Sequence, residues 1–463
     1  MPRMEASSAL RHALVRRGER IARATSSAEL GQAYVRLMLD TWTRTLHPGP
    51  NGIFATTGDI PAMWLRDSSA QMRPWLALAD ELPEVAEVLR GVCLMQWRMI
   101  RHDPYANAFN HGPVGGTHHL LDLHMLTSRA DPWIWERKYE LDSLALPLLL
   151  AHQIQQATGS TEHLDWGVHS GFADVVDLWR REQDHATSRY RFIRLPAVVA
   201  RRHADTLPRW GRGSPVGRTR MTWQGFRPSD DATRYGYNIP AQLLAVHVLR
   251  LGAQWCDRLW HDQPLGARAR DLAEQIATGV AEHGTLPDGS WAYEVDGLGG
   301  VLAADDANLP SLLGLPLLTD IARDDPRYLA TRARILSAAN PWWHTGRVAS
   351  GIGSPHTPGP RVWPIALAVQ GLTETNREEA LALARLIAST TAGTGMVHES
   401  FHVDDPHRFT RGWFSWANMM FCELLDRLAD WPASGTPSSR TEKADADRIA
   451  GMDTGQGKPV AGQ

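Results

Sequence analysis

Residues 239–251, IPAQLLAVHVLRL, are apolar almost all the way round a helix, and 144–151, LALPLLLA, repeat the pattern. A helix with no polar face has to be covered on most sides. Its neighbours in the chain read differently. Leu265, Leu272, Ile276 and Val280 form a single stripe, as do Ala380, Leu383 and Ile387 behind Asn376, a candidate N-cap. Such stripes mark helices buried on one face. Twelve helices are expected near 28–46, 69–80, 84–102, 138–158, 161–185, 238–260, 265–283, 307–321, 326–338, 362–372, 376–391 and 412–430. The first opens on what reads as a capping box, Ser26 with Glu29. Buried and one-sided helices tend to alternate, as two concentric rings would require. The fold class expected is therefore all-α, with strand-like pieces such as 189–195 confined to loops.

The chain has 463 residues and a formal net charge of −3, with 43% hydrophobic and 21% charged residues. That is enough for a large core. It lacks the basic excess of a nucleic-acid or anionic-membrane binder. Cys93, Cys256 and Cys422 are too few and too scattered for a disulfide framework or a zinc motif. No apolar run approaches the roughly 20 residues of a membrane span. The first twenty residues, MPRMEASSALRHALVRRGER, hold no apolar block of the secretory kind, so a cytoplasmic protein with free thiols is expected. Residues 1–25 read as an Arg-rich helical extension, 26–431 as one continuous domain, and 432–463 as a tail without apolar periodicity, expected to be disordered.

The connecting segments carry the chemistry. TGDIPAMWLRDS (57–68), PWIWERKYELDS (132–143), FRPSDDA (226–232), YEVDGLGG (293–300), DDANLPSLL (305–313), GIGSPHT (351–357) and MVHES (396–400) pack acids, Trp, Arg and His into loops. Loops on a rigid scaffold are where function resides, and this composition suits a pocket for sugar hydroxyls. The 19 Trp outnumber the 8 Tyr and 9 Phe; about a quarter are assigned to stacking on a ring and the rest to the core. No P-loop, dinucleotide fingerprint, nucleophile elbow or HExxH motif is present. His118, His119, Asp122 and His124 could be offered as a metal site, but His119 lies five positions before His124, a poor helical spacing, so a structural or hydroxyl-binding role is preferred. What remains is carboxylate chemistry. Glycoside hydrolysis needs an acid on the leaving oxygen and a second carboxylate on the opposite face. Asp230–Asp231 and Glu399, about 170 positions apart on separate loops, could supply them. The plainer alternatives are helix capping for the Asp pair and a salt bridge for Glu399.

Taken together, TGDIPAMWLRDS, WERKYELDSL, FRPSDDA, YEVDGLG, DDANLPSLL, GIGSPHT, VWPI, MVHES and RGWFSWAN resemble glycoside hydrolase family 125, from about Thr57 to Asn418. The resemblance implies an (α/α)6 barrel and an exo-acting α-1,6-mannosidase that needs no metal or other cofactor. It also implies inversion, with the general acid at Asp230 or Asp231, Asp230 being preferred, and the general base at Glu399. Arg66 and Asp67 resemble the pair that holds distal hydroxyls of the terminal sugar. Glu136, Arg137, Asp305, Asp306, Asn308 and His356 are further candidate pocket residues, and His398 is a candidate to orient the base. The implied partner is a mannose-containing oligosaccharide, with neither nucleic acid nor membrane.

Three departures bear on leaving-group preference rather than on the reaction: Ala304 where Met is common, Asn340-Pro341-Trp342-Trp343 where Tyr is commoner, and the Arg-rich stretch 198–222. Two other classes compete with the mannosidase reading. One is a helical-barrel enzyme of another specificity, such as a trehalase-like hydrolase or a polysaccharide lyase. The other is a non-catalytic sugar-binding protein, which would not need both carboxylate loops.

Overall fold

The computed structural model describes residues 1–113, 121–122 and 131–431; His118, His119, His124 and the tail 432–463 lie outside them. Its helices are α1 (Ser8–Thr25), α2 (Ala28–Thr45), α3 (Leu65–Ala70), α4 (Pro83–His102), α5 (Asp142–Thr158), α6 (Trp166–Glu182), two short pieces α7 (Leu195–Val199) and α8 (Pro208–Gly211), α9 (Ile239–Trp255), α10 (Gln263–His283), α11 (Leu315–Leu318), α12 (Pro326–Ile335), α13 (Pro364–Thr373), α14 (Arg377–Ser389) and α15 (Ser415–Ala429).

Six of these close a ring by successive contact: α3 on α5, α5 on α9, α9 on α11, α11 on α13, α13 on α15, and α15 back on α3. They are the apolar helices. Residues Asp142–Ala151 of α5 and most of α9 are buried, because each is covered both by its ring neighbours and by an outer helix. The outer ring is α2, α4, α6, α10, α12 and α14, which alternate with the inner helices along the chain. Each presents one face, as Leu265, Leu272, Ile276 and Val280 do from α10. The fold is an (α/α)6 barrel. Helix α1 adds a further layer over α2 and α15, burying Leu10, Leu14 and Ile21 in the same core.

Three local expectations differ from what forms. The helix expected over 69–80 is split: α3 ends at Ala70, and a separate 3-10 helix, Arg73–Leu78, follows with Pro74 in its first turn. The cap of α2 is Ser27, whose side chain accepts from Leu30 N, while Ser26 adopts φ 53° and ends α1. The helix expected over 307–321 is reduced to Leu315–Leu318, because the N–H groups of Leu312 and Leu313 bind the Asp305 carboxylate instead of a helical ladder. By contrast Asn376 caps α14 through Glu378 N and Glu379 N.

Short antiparallel strands occupy the loops. β1 (Leu46–Gly49) pairs with β2 (Gly52–Ala55), and β3 (Met63–Trp64) with β4 (Ala108–Phe109) and then β5 (Ile134–Glu136). β6 (Tyr237–Asn238), β7 (Glu294–Val295) and β8 (Val301–Leu302) form a second such trio, and β9 (Trp343–Thr345) pairs with β10 (Ser350–Ile352). β11 (Arg361–Val362), β12 (Ser400–His402) and β13 (Asp405–Thr410) complete the set. β3, β6 and β11 lead into the N-termini of α3, α9 and α13. They fix that end of the inner ring, and the cavity opens there. Among the described residues no helix is long and apolar enough to cross a membrane.

Candidate active site

A cavity of about 200 Å³ is lined by Thr57, Ile60, Trp64, Arg66, Asp67, Pro228, Ser229, Asp230, Asn308, His356, Trp363, Glu399, Arg411, Phe414 and Trp416. These come from the entries to α3, α9, α11, α13 and α15, so successive inner helices each contribute a piece. Trp64, Trp363 and Trp416 supply flat apolar walls, and most of the other Trp residues fill the core.

Arg66, in the first turn of α3, organises one wall. Its guanidinium lies 2.6 Å from Glu140, 3.1 Å from Asp230, 3.3 Å from Asp142 and 3.6 Å from Asp67. Burial raises the Asp67 carboxyl to about 6, against the opposing charge of Arg66. Asp230 sits in a tight turn in which Arg227 N donates to Asp231 O (2.7 Å) and Asp230 N donates to Arg227 O (3.0 Å). The turn holds Asp230 at φ 65°, a left-handed conformation that Asp tolerates better than most residues. Its Oδ1 accepts from Arg66 Nη2 and Asn107 Nδ2, both at 3.1 Å. Burial favours the neutral acid, but Arg66 and then Lys138 outweigh it and hold Asp230 well below the usual carboxylate range.

The adjacent Asp231 points elsewhere. Its Oδ1 lies 3.1 Å from His356 Nδ1. Burial disfavours the imidazolium, yet the bond and charge of Asp231 raise His356 to about 9. Glu399, also on the cavity wall, precedes β12, with Arg411 Nη1 at 3.7 Å; Arg411 is itself held by Asp59 and by Thr57 Oγ1 (3.0 Å).

The cavity thus brings together Arg66, Asp67, Asp230, Asn308, His356 and Glu399. Asp231 stands behind His356, and Asp306 behind Asn308, whose Nδ2 it accepts at 2.9 Å. Four other expected pocket residues do not reach it. Glu136 is buried against Arg194 (2.7 Å) and Asn107 (3.0 Å). Arg137 pairs with Asp103 (2.6 Å) over Tyr105 and Tyr190. Asp305 is consumed by the N–H groups of Leu312 and Leu313, and burial raises it to about 8. His398 stacks on Phe409 with its Nε2 3.1 Å from Thr391 O, so it turns away from Glu399's cavity face. Conversely Asn107, Glu140, Asp142 and Arg411 belong to the site or its immediate backing. Glu140 and Asp142 lie within WERKYELDSL and Arg411 within RGWFSWAN, whereas Asn107 lies in none of these strings. Among the described residues no group of three or more His, Cys, Asp or Glu is placed to hold a metal ion; Asp122 is paired bidentately with Arg194.

Residues 27–425 match the family of metal-independent alpha-mannosidases, GH125. The chain belongs to glycoside hydrolase family 125. Among solved structures, this family member is similar to a Streptococcus pneumoniae metal-independent alpha-mannosidase captured in a non-productive substrate complex with alpha-1,6-mannobiose. They share 40% identity and a TM-score of 0.87 over 93% of this chain and 100% of that one. It is also 36% identical to the meiotically up-regulated gene 157 protein of Schizosaccharomyces pombe, over 80% of this chain and 75% of that protein. A glycosidase at 13% identity and TM-score 0.52, covering 92% of this chain and all of its own, shares the fold.

Proposed function

We propose that this family 125 protein removes terminal α-1,6-linked mannose from the non-reducing end of oligosaccharides, with inversion and without a metal. The observation that carries the reading is one small cavity with Asp230 and Glu399 on its wall, contributed by separate loops. Its volume of about 200 Å³ falls below the ~300–1,000 Å³ of drug-sized ligand sites, which suits a single sugar ring and hence exo-action. Support for the α-1,6 linkage comes from the 40% identical relative, which was captured with alpha-1,6-mannobiose.

In this scheme the mannose ring packs on the Trp walls while Arg66, Asp67, Asn308 and His356 take its hydroxyls. Asp230 protonates the glycosidic oxygen as the anomeric C–O bond breaks. Glu399 takes a proton from the water that attacks the opposite face. Asp231 acts through His356, keeping that imidazole protonated as a donor to substrate. No step asks for an electrophilic metal.

The test is incubation of purified protein with α-1,6-, α-1,2- and α-1,3-mannobiose, with and without EDTA. Free mannose should appear from the α-1,6 isomer in preference to the others, at a rate unchanged by chelation. Preference for another linkage, binding without release, or loss of activity in EDTA would each contradict the reading.

A further inference from the structure

Glu140 does not line the cavity, yet it is bound to the same donors as Asp230. Arg66 gives Nη1 to Glu140 (2.6 Å) and Nη2 to Asp230 (3.1 Å), and Asn107 Nδ2 lies 3.4 Å from Glu140 Oε1 and 3.1 Å from Asp230 Oδ1. Ser143 Oγ donates to Glu140 Oε2 at 2.8 Å. Glu140 is fully buried, just before α5, and its carboxyl is in hydrogen-bond contact with that of Asp230.

The surrounding charges do not balance. Arg66 faces Asp67, Glu140, Asp142 and Asp230. Lys138 also faces Asp230, but its ammonium is engaged by Asp205 (2.9 Å) and Glu136 (3.4 Å). His356 approaches Asp230 with its Nδ1 on Asp231, and Arg411 is held by Asp59 beside Glu399 and Asp67. Tyr190, another titratable neighbour of Glu140, is neutral and donates to Arg137 O. Two carboxylates on the same two donors cannot both ionise readily.

We infer that Glu140 and Asp230 hold one proton between them, and that Glu140 is the positioning residue that keeps the acid's proton in the site. The inference rests on Asp230 being the general acid. It accounts for an otherwise awkward fact, that Arg66 and Lys138 disfavour the neutral form of the residue that must deliver a proton. Burial pushes Glu140 well above the usual carboxylate range, with Arg66 opposing and Asp230 adding to it, while Asp230 moves the other way. The two titrate as a pair. In the reaction the Glu140 O–H proton passes to Asp230, and Asp230 gives it to the glycosidic oxygen as the C–O electron pair moves onto that oxygen. Water's oxygen bonds to the anomeric carbon and its proton goes to Glu399. Exchange with solvent then returns one proton to the pair and removes one from Glu399.

The experiment compares Glu140→Gln and Asp230→Asn with the unaltered protein on α-1,6-mannobiose and on an aryl α-mannoside with an acidic phenol. Asp230→Asn should lower mannobiose turnover by about 10²–10⁴-fold and spare the aryl substrate. If it does not discriminate, the acid assignment itself fails. With that assignment standing, Glu140→Gln should reproduce the discrimination and move the alkaline limb of the mannobiose pH profile to lower pH, leaving the aryl profile in place. Equal losses on both substrates with an unmoved limb would overturn the proposal. Infrared spectroscopy guards against misfolding of Glu140→Gln. Beside the band of buried Asp305, which is common to both proteins, the unaltered protein should show a protonated-carboxyl C=O component from Glu140 that titrates at lower pH in Asp230→Asn, because the like charge of Asp230 that helps to raise it is gone. An unchanged titration in that variant would also overturn it.

Discussion

Arg66 and His356 both face the cavity beside Asp230, and they differ in how firmly they stay charged. A guanidinium is charged at every working pH, so Arg66 is a fixed reference for the four carboxyls around it. His356 is not. Its value is raised from 6.5 to about 9 by Asp231, so the ion pair is fully present below about 6.5 and is lost as pH rises through about 9. If the imidazolium donates to a mannose hydroxyl, KM for both mannobiose and aryl mannoside should rise through that alkaline range. His356→Gln should raise KM at neutral pH and remove the step. A pH-independent KM in the unaltered protein would assign His356 a structural part instead. Arg66, Asp67, Asp230 and Glu399 were legible because each sits in a recognisable string. Asn107 was not: it lies 123 positions before Asp230, and nothing in a neutral amide announces which carboxylates it will meet. Glu136, Arg137 and Asp305 misled for the opposite reason. Their motif is chemically right for a pocket, but burial makes them serve the wall, where a buried charge must find partners.

At the scale of elements, periodicity predicted the long helices closely, because a stripe or its absence reports how many faces are covered. Helix ends depend on which single residue takes a cap, which periodicity does not report. Ser26 with Glu29 has the capping-box spacing, yet Ser26 closes α1 in a left-handed conformation and Ser27 caps α2. The two serines therefore predict opposite responses. Ser27→Ala should cost about 0.5–2 kcal/mol, the usual loss of an N-cap. Ser26→Gly should stabilise by about 0.5–1 kcal/mol, the left-handed penalty less the backbone entropy that glycine adds. Denaturant titrations of the two variants check this, and identical responses would show that the cap is misassigned. The 307–321 segment failed as a helix because Asp305 competes for its N–H groups, a long-range effect that no window of apolar spacing contains.

Across the whole molecule, ring closure was legible as alternation, but the place of α1 was not. Arg-rich and amphipathic, it reads as an appendage, whereas it buries Leu10, Leu14 and Ile21 and joins Arg17 to Asp426 at 2.5 Å, on the other end of the chain. Those three side chains together represent roughly 5–9 kcal/mol of burial, comparable with the ~5–15 kcal/mol of total stability expected for a domain. Removing residues 1–25 should therefore give a protein that melts far lower or fails to stay soluble, and that loses turnover through folding rather than chemistry. A truncated protein with unchanged melting temperature would show α1 to be dispensable.

If Asp230 and Glu399 flank one mannose ring, with a water between the base and the anomeric carbon, the sugar must leave with its anomeric configuration inverted. Proton NMR of the first product from α-1,6-mannobiose, read before mutarotation, tests it most directly. β-Mannose should appear at the outset, and should be absent when Glu399 is replaced by Gln. Appearance of α-mannose first would mean a covalent intermediate on a carboxylate, and would contradict it.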